Sequence, residues 1–385
     1  MTTPATTQPT PPPTGASAVA RSPQPASGRP SSRDAYFDNA KLVLVTLVVV
    51  GHAWTLIPDT SSSAPTYYAL YAFHVPAFVL VTGYLSRGFR FTGSHLRKLA
   101  TTVVVPYLVF ESLLALFRVT VGGEHLGSTL YLDPHWPMWY LAVLFTWRLA
   151  TPLLRRVRQP MLLAVVVCLL GGIYTGDTLD LARAMGLLPF FVAGLTMRRE
   201  QFTWLARPRV RVFAAAALVT ALVVATFVAG PLSKEWLYWR TGYADLGVGV
   251  AEGMAARLVL LVVAGVLALS ALSLIPTTHR WFTTMGSASL VVYLFHGFAV
   301  KSASYAGVGG LAEQDPVTAF VLITLAAVGL SLLLAATPVA RRLNALIDPI
   351  STVSTGLPGP VDPAEQRLRT QAQLALAPRR PNRLV

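Results

Sequence analysis

Long aliphatic and aromatic runs, separated by short polar connections, set the pattern of this chain. Ten such segments stand out, at 41–57, 67–85, 99–118, 136–154, 160–174, 182–197, 211–230, 256–275, 283–302 and 317–338. Several have the ~20-residue length that carries an α-helix across the hydrocarbon layer; the fifth and sixth are shorter. The pattern predicts an all-α polytopic membrane protein, a bundle of about ten transmembrane helices filling residues 33–342. Residues 1–32 are rich in Pro, Thr, Ser and Ala and contain no apolar run. They read as a disordered tail and not as a signal peptide, which needs a basic start and a hydrophobic stretch. Residues 343–385, with Pro, Gln and Arg, read as a second disordered tail with a short surface helix.

Charge gives an independent check on the segment count. Basic residues follow every even segment: Arg87, Arg90, Arg97 and Lys98; Arg155, Arg156 and Arg158; Arg198, Arg199, Arg207 and Arg209; Arg280; and Arg341 with Arg342. The odd connections carry most of the loop acids, among them Asp59, Glu124, Asp133, Asp177, Asp180, Glu235, Asp245, Glu313 and Asp315. By the positive-inside rule this alternation puts both termini in the cytoplasm. The 385 residues are 54% hydrophobic and only 12% charged, against about 25% in soluble domains. So few charges cannot cover a water-soluble protein of this size, and a multi-pass protein of the cell membrane follows. The formal charge of +14 is spread between hydrophobic runs and orients spans against anionic lipid; a nucleic-acid partner is not expected. Cys168 is the single cysteine and lies in an apolar run, which excludes an intramolecular disulfide.

The candidate chemistry lies in ionisable residues placed inside apolar sequence, where a polar side chain must face protein, line a wet cavity or react. In K-L-V-L-V-T-L-V-V-V-G-H at 41–52, Lys41 and His52 are eleven residues apart, on one helix face and separated by about 16 Å along the axis. His74, Glu111 and His296 fall in the second, third and ninth segments. Counting the rise along each helix puts His52, His74, Glu111 and His296 in one layer, about 10 Å beneath the outer surface. Singly, each has a structural reading as well, since a membrane histidine often only bonds a neighbouring helix and Glu111 can serve as a neutral acid on a carbonyl. Together they predict one polar pocket. Three histidines and a glutamate are eligible zinc ligands, but no local spacing is a metal motif and no metal is expected. No nucleophile elbow, P-loop or dinucleotide fingerprint stands in a convincing context. At the other end of the spans, Arg97 and Lys98 with Arg87 and Arg90 form a basic cluster suited to phosphates, although ordinary membrane anchoring explains them equally.

These pieces, in this order, resemble the integral-membrane acyltransferase 3 family, in particular its O-antigen acetylase-like and fucose 4-O-acetylase-like branch. The matching stretches are F-D-N-A-K through His52 at 37–52, F-H-V-P-A-F-V-L-V-T-G-Y-L at 73–85, R-K-L-A-T-T-V-V-V-P-Y at 97–107, M-W-Y-L-A-V-L-F at 138–145 and V-Y-L-F-H at 292–296. They extend over roughly residues 34–340. Where the family usually has Arg, with ten residues between it and the first-helix histidine, this chain has Lys41. Where it usually has Ser before a Gly-aromatic pair, this chain has Thr82 before Gly83 and Tyr84. Lysine keeps the charge but loses the bidentate fork.

The resemblance implies an O-acetyltransferase that takes acetyl-coenzyme A from the cytoplasm as co-substrate. It would esterify a hydroxyl, usually of a sugar, presented from the outer side. On that reading His52 is the general base, a role suited to an imidazole, and Glu111 or His296 orients it or positions the acceptor. Lys41, His74, Thr82, Gly83, Tyr84, Arg97 and Lys98 line the acyl-CoA route, with the phosphates at the basic inner mouth. Trp236, Tyr238, Trp239 and Tyr243 are eligible to stack on sugar faces or to belong to the interfacial aromatic belt. A rival class is a proton-coupled transporter or flippase for a lipid-linked glycan, which would also need intramembrane titratable groups. Against it, the chain has no visible internal repeat.

Overall fold

A computed structural model describes residues 34–60, 63–127, 129–174, 176 and 178–347. The tail 1–32, residues 348–385 and Asp177 lie outside the described residues. The compact unit begins at Ala35 and is built from helices, with no strand among the described residues.

The first predicted segment is helix α1 (Ala35–Ala53), prolonged by a 3₁₀ turn to Leu56. The second is a broken span, α2 (Ser63–Tyr71) and α3 (His74–Ser86). The break precedes Pro76, which has no N–H and whose ring crowds the carbonyl four residues back. The third combines α4 (Gly93–Leu99), a π-turn at Ala100–Val104 and α5 (Val105–Thr120). Pro106 again removes a donor, and the ladder slips so that Val105 N bonds the Ala100 carbonyl. Helices α6 (Trp139–Leu154) and α7 (Pro160–Gly171) are the fourth and fifth segments. The sixth is α8 (Leu181–Gly186) and α9 (Leu188–Thr196), bent by 60° just before Pro189.

After a short α10 (Arg199–Leu205) come α11 (Pro208–Val228), the one-turn α12 (Glu235–Tyr238) and α13 (Val250–Leu274). A 3₁₀ stretch at Thr283–Ala288 leads into α14 (Ser289–Tyr305), followed by α15 (Val308–Gln314), α16 (Pro316–Ala335) and α17 (Thr337–Ile347). All ten predicted segments are therefore helical. Seven are long and apolar enough to cross a membrane, and the bent α8–α9 pair makes an eighth; α6 and α7, with 16 and 12 residues, are the shorter two. The predicted boundary at 342 needs correction: α17 runs on to Ile347, because Ala340 and Ile347 bury their side chains against the body of the protein.

Helix α1 is the hub, touching α3, α14 and α16, and it buries residues all round its circumference. That is why its sequence lacks a polar stripe. By contrast α11 and α16 bury little and turn large apolar side chains outward, with Phe213 and Phe227 each 75% exposed. An apolar face of that size is stable against lipid, not water. Helices α3 and α9 cross at backbone contact: a Cβ on Gly83 would collide with the Phe191 carbonyl, and one on Gly194 with the Leu80 carbonyl.

Candidate functional site

Two of the four intramembrane groups meet directly. His52, near the end of α1, places Nδ1 2.8 Å from Nε2 of His296 on α14. The rings are nearly parallel, with centroids 5.1 Å apart, and both residues are buried. The hydrogen-bond pattern assigns the protons. His296 Nδ1 faces the Tyr293 and Val292 carbonyls at 2.6 and 3.2 Å, and carbonyls only accept, so that nitrogen carries the hydrogen. In the neutral ring Nε2 is then an acceptor, and His52 Nδ1–H donates to it. The one remaining lone pair of the couple is on His52 Nε2.

His52 forms part of the wall of a cavity of about 410 Å³. The Trp136 ring tilts against His52 at 4.5 Å, and Tyr67, Tyr71, Trp139 and Tyr238 complete an aromatic lining. Tyr67 and Tyr238 join their hydroxyls at 2.7 Å. The charged members of the wall are Asp180, Arg183, Arg240 and Lys301. Arg183 donates from Nη1 to Asp180 at 2.8 Å and from Nε to the Tyr238 carbonyl at 3.1 Å, with its guanidinium 4.3 Å from the Trp139 ring centre. Two non-glycine residues in this wall, Asp180 and Trp239, adopt left-handed backbone at φ 54° and 62°, a strain usually confined to places where neighbours fix the chain.

The remaining predicted residues take other positions. Glu111 is buried on α5 and accepts the backbone N–H of His135 at 3.1 Å, so its recorded bond anchors the loop that carries Trp136 and not an imidazole. Among the described residues its other oxygen has no hydrogen-bond partner, nor has His135 Nε2. Outside the spans, desolvation by burial holds the His135 ring at a pKa of about 4, neutral at physiological pH. His74 is fully buried behind the cavity wall, donating from Nδ1 to the Leu70 carbonyl at 2.9 Å and packed edge-on to Tyr71.

Lys41 pairs with Asp38 at 2.7 Å. Thr82 bonds Tyr140 at 2.5 Å, and the Tyr140 ring packs on Tyr293, which packs on His296. Gly83 serves the α3–α9 crossing, and Tyr84 is stacked on Phe37 beneath the Arg87 guanidinium, 3.9 Å away. Arg97 and Lys98 are exposed on α4. None of these seven residues, His74 included, belongs to the wall of the His52 cavity. Among the described residues no three His, Cys, Asp or Glu side chains come together as a metal site.

Sequence reading missed Trp136 and Arg183. Trp136 opens the fourth predicted segment, two positions before the M-W-Y-L stretch, where apolar character alone does not mark a ring for a cavity wall. Arg183 was legible, since it is an arginine inside an apolar segment and such residues are rarely idle.

The geometry can be set beside known proteins. Residues 34–336 match the acyltransferase domain Acyl_transf_3. The chain is 28% identical to nodulation protein NolL of Sinorhizobium fredii over 130 residues, 30% of this chain and 36% of that protein. It is 39% identical to nodulation protein NolL of Mesorhizobium japonicum over 62 residues, 15% of this chain and 17% of that protein. The matches thus span about a third or less of either relative. No solved structure matches the chain. With the family match running from the first turn of α1 to the end of α16, the chain belongs to the Acyl_transf_3 family of acyltransferases.

Proposed function

We propose that this protein is an O-acyltransferase of the cell membrane. It moves an acetyl or other short acyl group from cytoplasmic acyl-CoA to a hydroxyl, of a sugar or cell-surface glycan, on the outer side. The observation that carries the reading is the His52–His296 couple at 2.8 Å, with His52 in the wall of an aromatic cavity. Such a couple leaves a lone pair on a nitrogen beside a space of the right size for a small polar acceptor.

In the step we assign, His52 Nε2 takes the acceptor hydroxyl proton as the oxygen attacks the thioester carbonyl. The C–S bond breaks, and the proton passes from Nε2 to the departing thiolate. His296 accepts from Nδ1 throughout, fixing the tautomer and stabilising the transient imidazolium, as the third member of a catalytic triad does. The cavity is walled by residues of α1, α2, α12 and α14 and by the stretches that carry Pro134 and Asp180. The basic residues Arg87, Arg97 and Lys98 mark the opposite end, where coenzyme A's phosphates stay out of hydrocarbon. The donor route we assign runs past Thr82 and Tyr140 towards the histidines.

The test uses sealed vesicles containing the full chain, labelled acetyl-CoA on one side and a cell-wall glycan fraction on the other. Label should move to the glycan with wild-type protein and not with His52→Ala. Transfer that survives His52→Ala rejects the assignment of the base.

A further inference from the structure

The charges around the His52 cavity do not balance. Among the described residues its wall holds three cations, Arg183, Arg240 and Lys301, against one carboxylate, Asp180. Asp180 is already engaged by Arg183. Lys301 is bonded at 2.8 Å to Glu124, but that carboxylate also takes Arg118 at 2.7 Å, one acid against two bases. Arg240 is exposed at the rim and makes no hydrogen bond or ion pair among the described residues. An excess of positive charge therefore faces a partly enclosed, aromatic-lined space. Like charges held there repel one another, and a low-dielectric wall focuses their field on whatever enters.

Membrane anchoring does not explain this excess. The positive-inside rule places cations at the opposite end of the spans, where Arg87, Arg97 and Lys98 are found. Nor does structural bonding account for it: among the described residues Arg183 bonds through Nε and Nη1, which leaves Nη2, and Arg240 uses none of its donors. Two guanidinium groups with spare donors suit a carboxylate or phosphate oxyanion.

We infer that the acceptor bears an anionic group, a carboxylate or a phosphate, close to the hydroxyl that is acylated, and that Arg183 and Arg240 hold it while His52 Nε2 faces the hydroxyl. The inference rests on the acyltransferase reading and narrows its substrate class to acidic sugars or sugar phosphates. Aromatic rings in the same wall supply apolar contact for the sugar face.

The experiment is calorimetric titration of the full chain in lipid nanodiscs with D-glucuronate, D-glucose 1-phosphate and D-glucose. At least one of the two anionic sugars should bind ten-fold or more tighter than glucose, with an advantage that falls as salt is raised. The tighter of the two identifies the anion. Arg240→Gln should reduce that advantage at least five-fold. Arg209→Gln, which removes an exposed arginine at the start of α11, should leave it intact. The inference is overturned if glucose binds as tightly as both anions, if no sugar binds, or if Arg209→Gln acts as strongly as Arg240→Gln. It is also overturned if adenosine 3′,5′-bisphosphate displaces the anionic sugar, because the cavity would then take the donor. Loss of the enzyme reading is seen separately, as absence of label transfer from acetyl-CoA in the vesicle assay.

Discussion

His52 Nδ1 and His296 Nε2 lie 2.8 Å apart although 244 positions separate them in the chain. The contact joins α1, the hub of the bundle, to α14, and it is held from behind by carbonyls of α14 itself. A ring fixed in this way has one tautomer and one orientation. That preorganisation is what a general base needs before any substrate arrives.

His296 is assigned as a positioning residue, so its variants should separate from those of His52. His296→Ala should lower the catalytic rate by roughly 10²–10⁴ with little change in acyl-CoA affinity. His296→Gln, whose amide oxygen can still accept from His52 Nδ1, should recover part of the loss. Equal rates for the two variants, measured by label transfer in vesicles, would remove the positioning role.

The Trp136 ring centre lies 4.5 Å from that of His52, and Trp136 forms part of the cavity wall. Trp136→Ala should raise the acceptor KM by about five-fold, since stacking contacts are worth on the order of 1 kcal/mol, while Trp136→Phe stays near wild type. Initial rates over a range of acceptor concentration read this directly.

Glu111 tethers the 135–136 loop through His135 N. Glu111→Ala leaves that buried donor without its acceptor, a loss of about 1–3 kcal/mol. The expected result is a lower melting temperature in detergent and a weaker acceptor interaction. A variant that melts like wild type but loses all acyl transfer would instead make Glu111 part of the chemistry.

Gly83→Ala tests the packing assignment of a residue that motif resemblance placed on the acyl-CoA route. The new methyl meets the Phe191 carbonyl, and overpacking of this kind costs about 1–3 kcal/mol. The protein should melt earlier, while any enzyme that remains folded keeps its acyl-CoA KM.

The latch Arg118–Glu124–Lys301–Tyr305 predicts an acid-dependent loss of stability. Hydrogen bonds from Lys301, Tyr305 and Arg118 bring the Glu124 carboxyl from its ordinary 4.5 down to about 2. A folded-state pKa below the unfolded one gives stability that is complete above pH ~4.5 and lost as pH falls toward 2. Wild-type melting temperature should therefore drop more steeply than that of Glu124→Gln across this window. Parallel melting curves would show that the latch contributes nothing measurable, as is common for exposed ion pairs.

Much of the fold was legible because the solvent imposes it. Lipid permits only backbone that satisfies itself, so apolar runs of sufficient length had to be helices, and all ten are. Their interruptions were written in the prolines Pro76, Pro106 and Pro189. The end of the helical body was not legible at Arg342, because the pattern of α17 is amphipathic and its apolar face shows only against its neighbours. Depth counting placed four ionisable residues in one layer, but a layer is a coordinate along the helix axes and says nothing of rotation or of which helices adjoin.

Sequence alone therefore determined that the chain is a helical membrane protein with polar residues in its interior, since hydropathy, length and charge act locally along the chain. Tertiary structure alone decided which of those residues meet. It set His52 against His296 and gave Glu111 to a loop. It also brought Trp136, Arg183 and Arg240, from three distant stretches of the chain, to one cavity. Helix packing fixes those azimuths through side-chain fit across the bundle, and that fit is a property of no single segment.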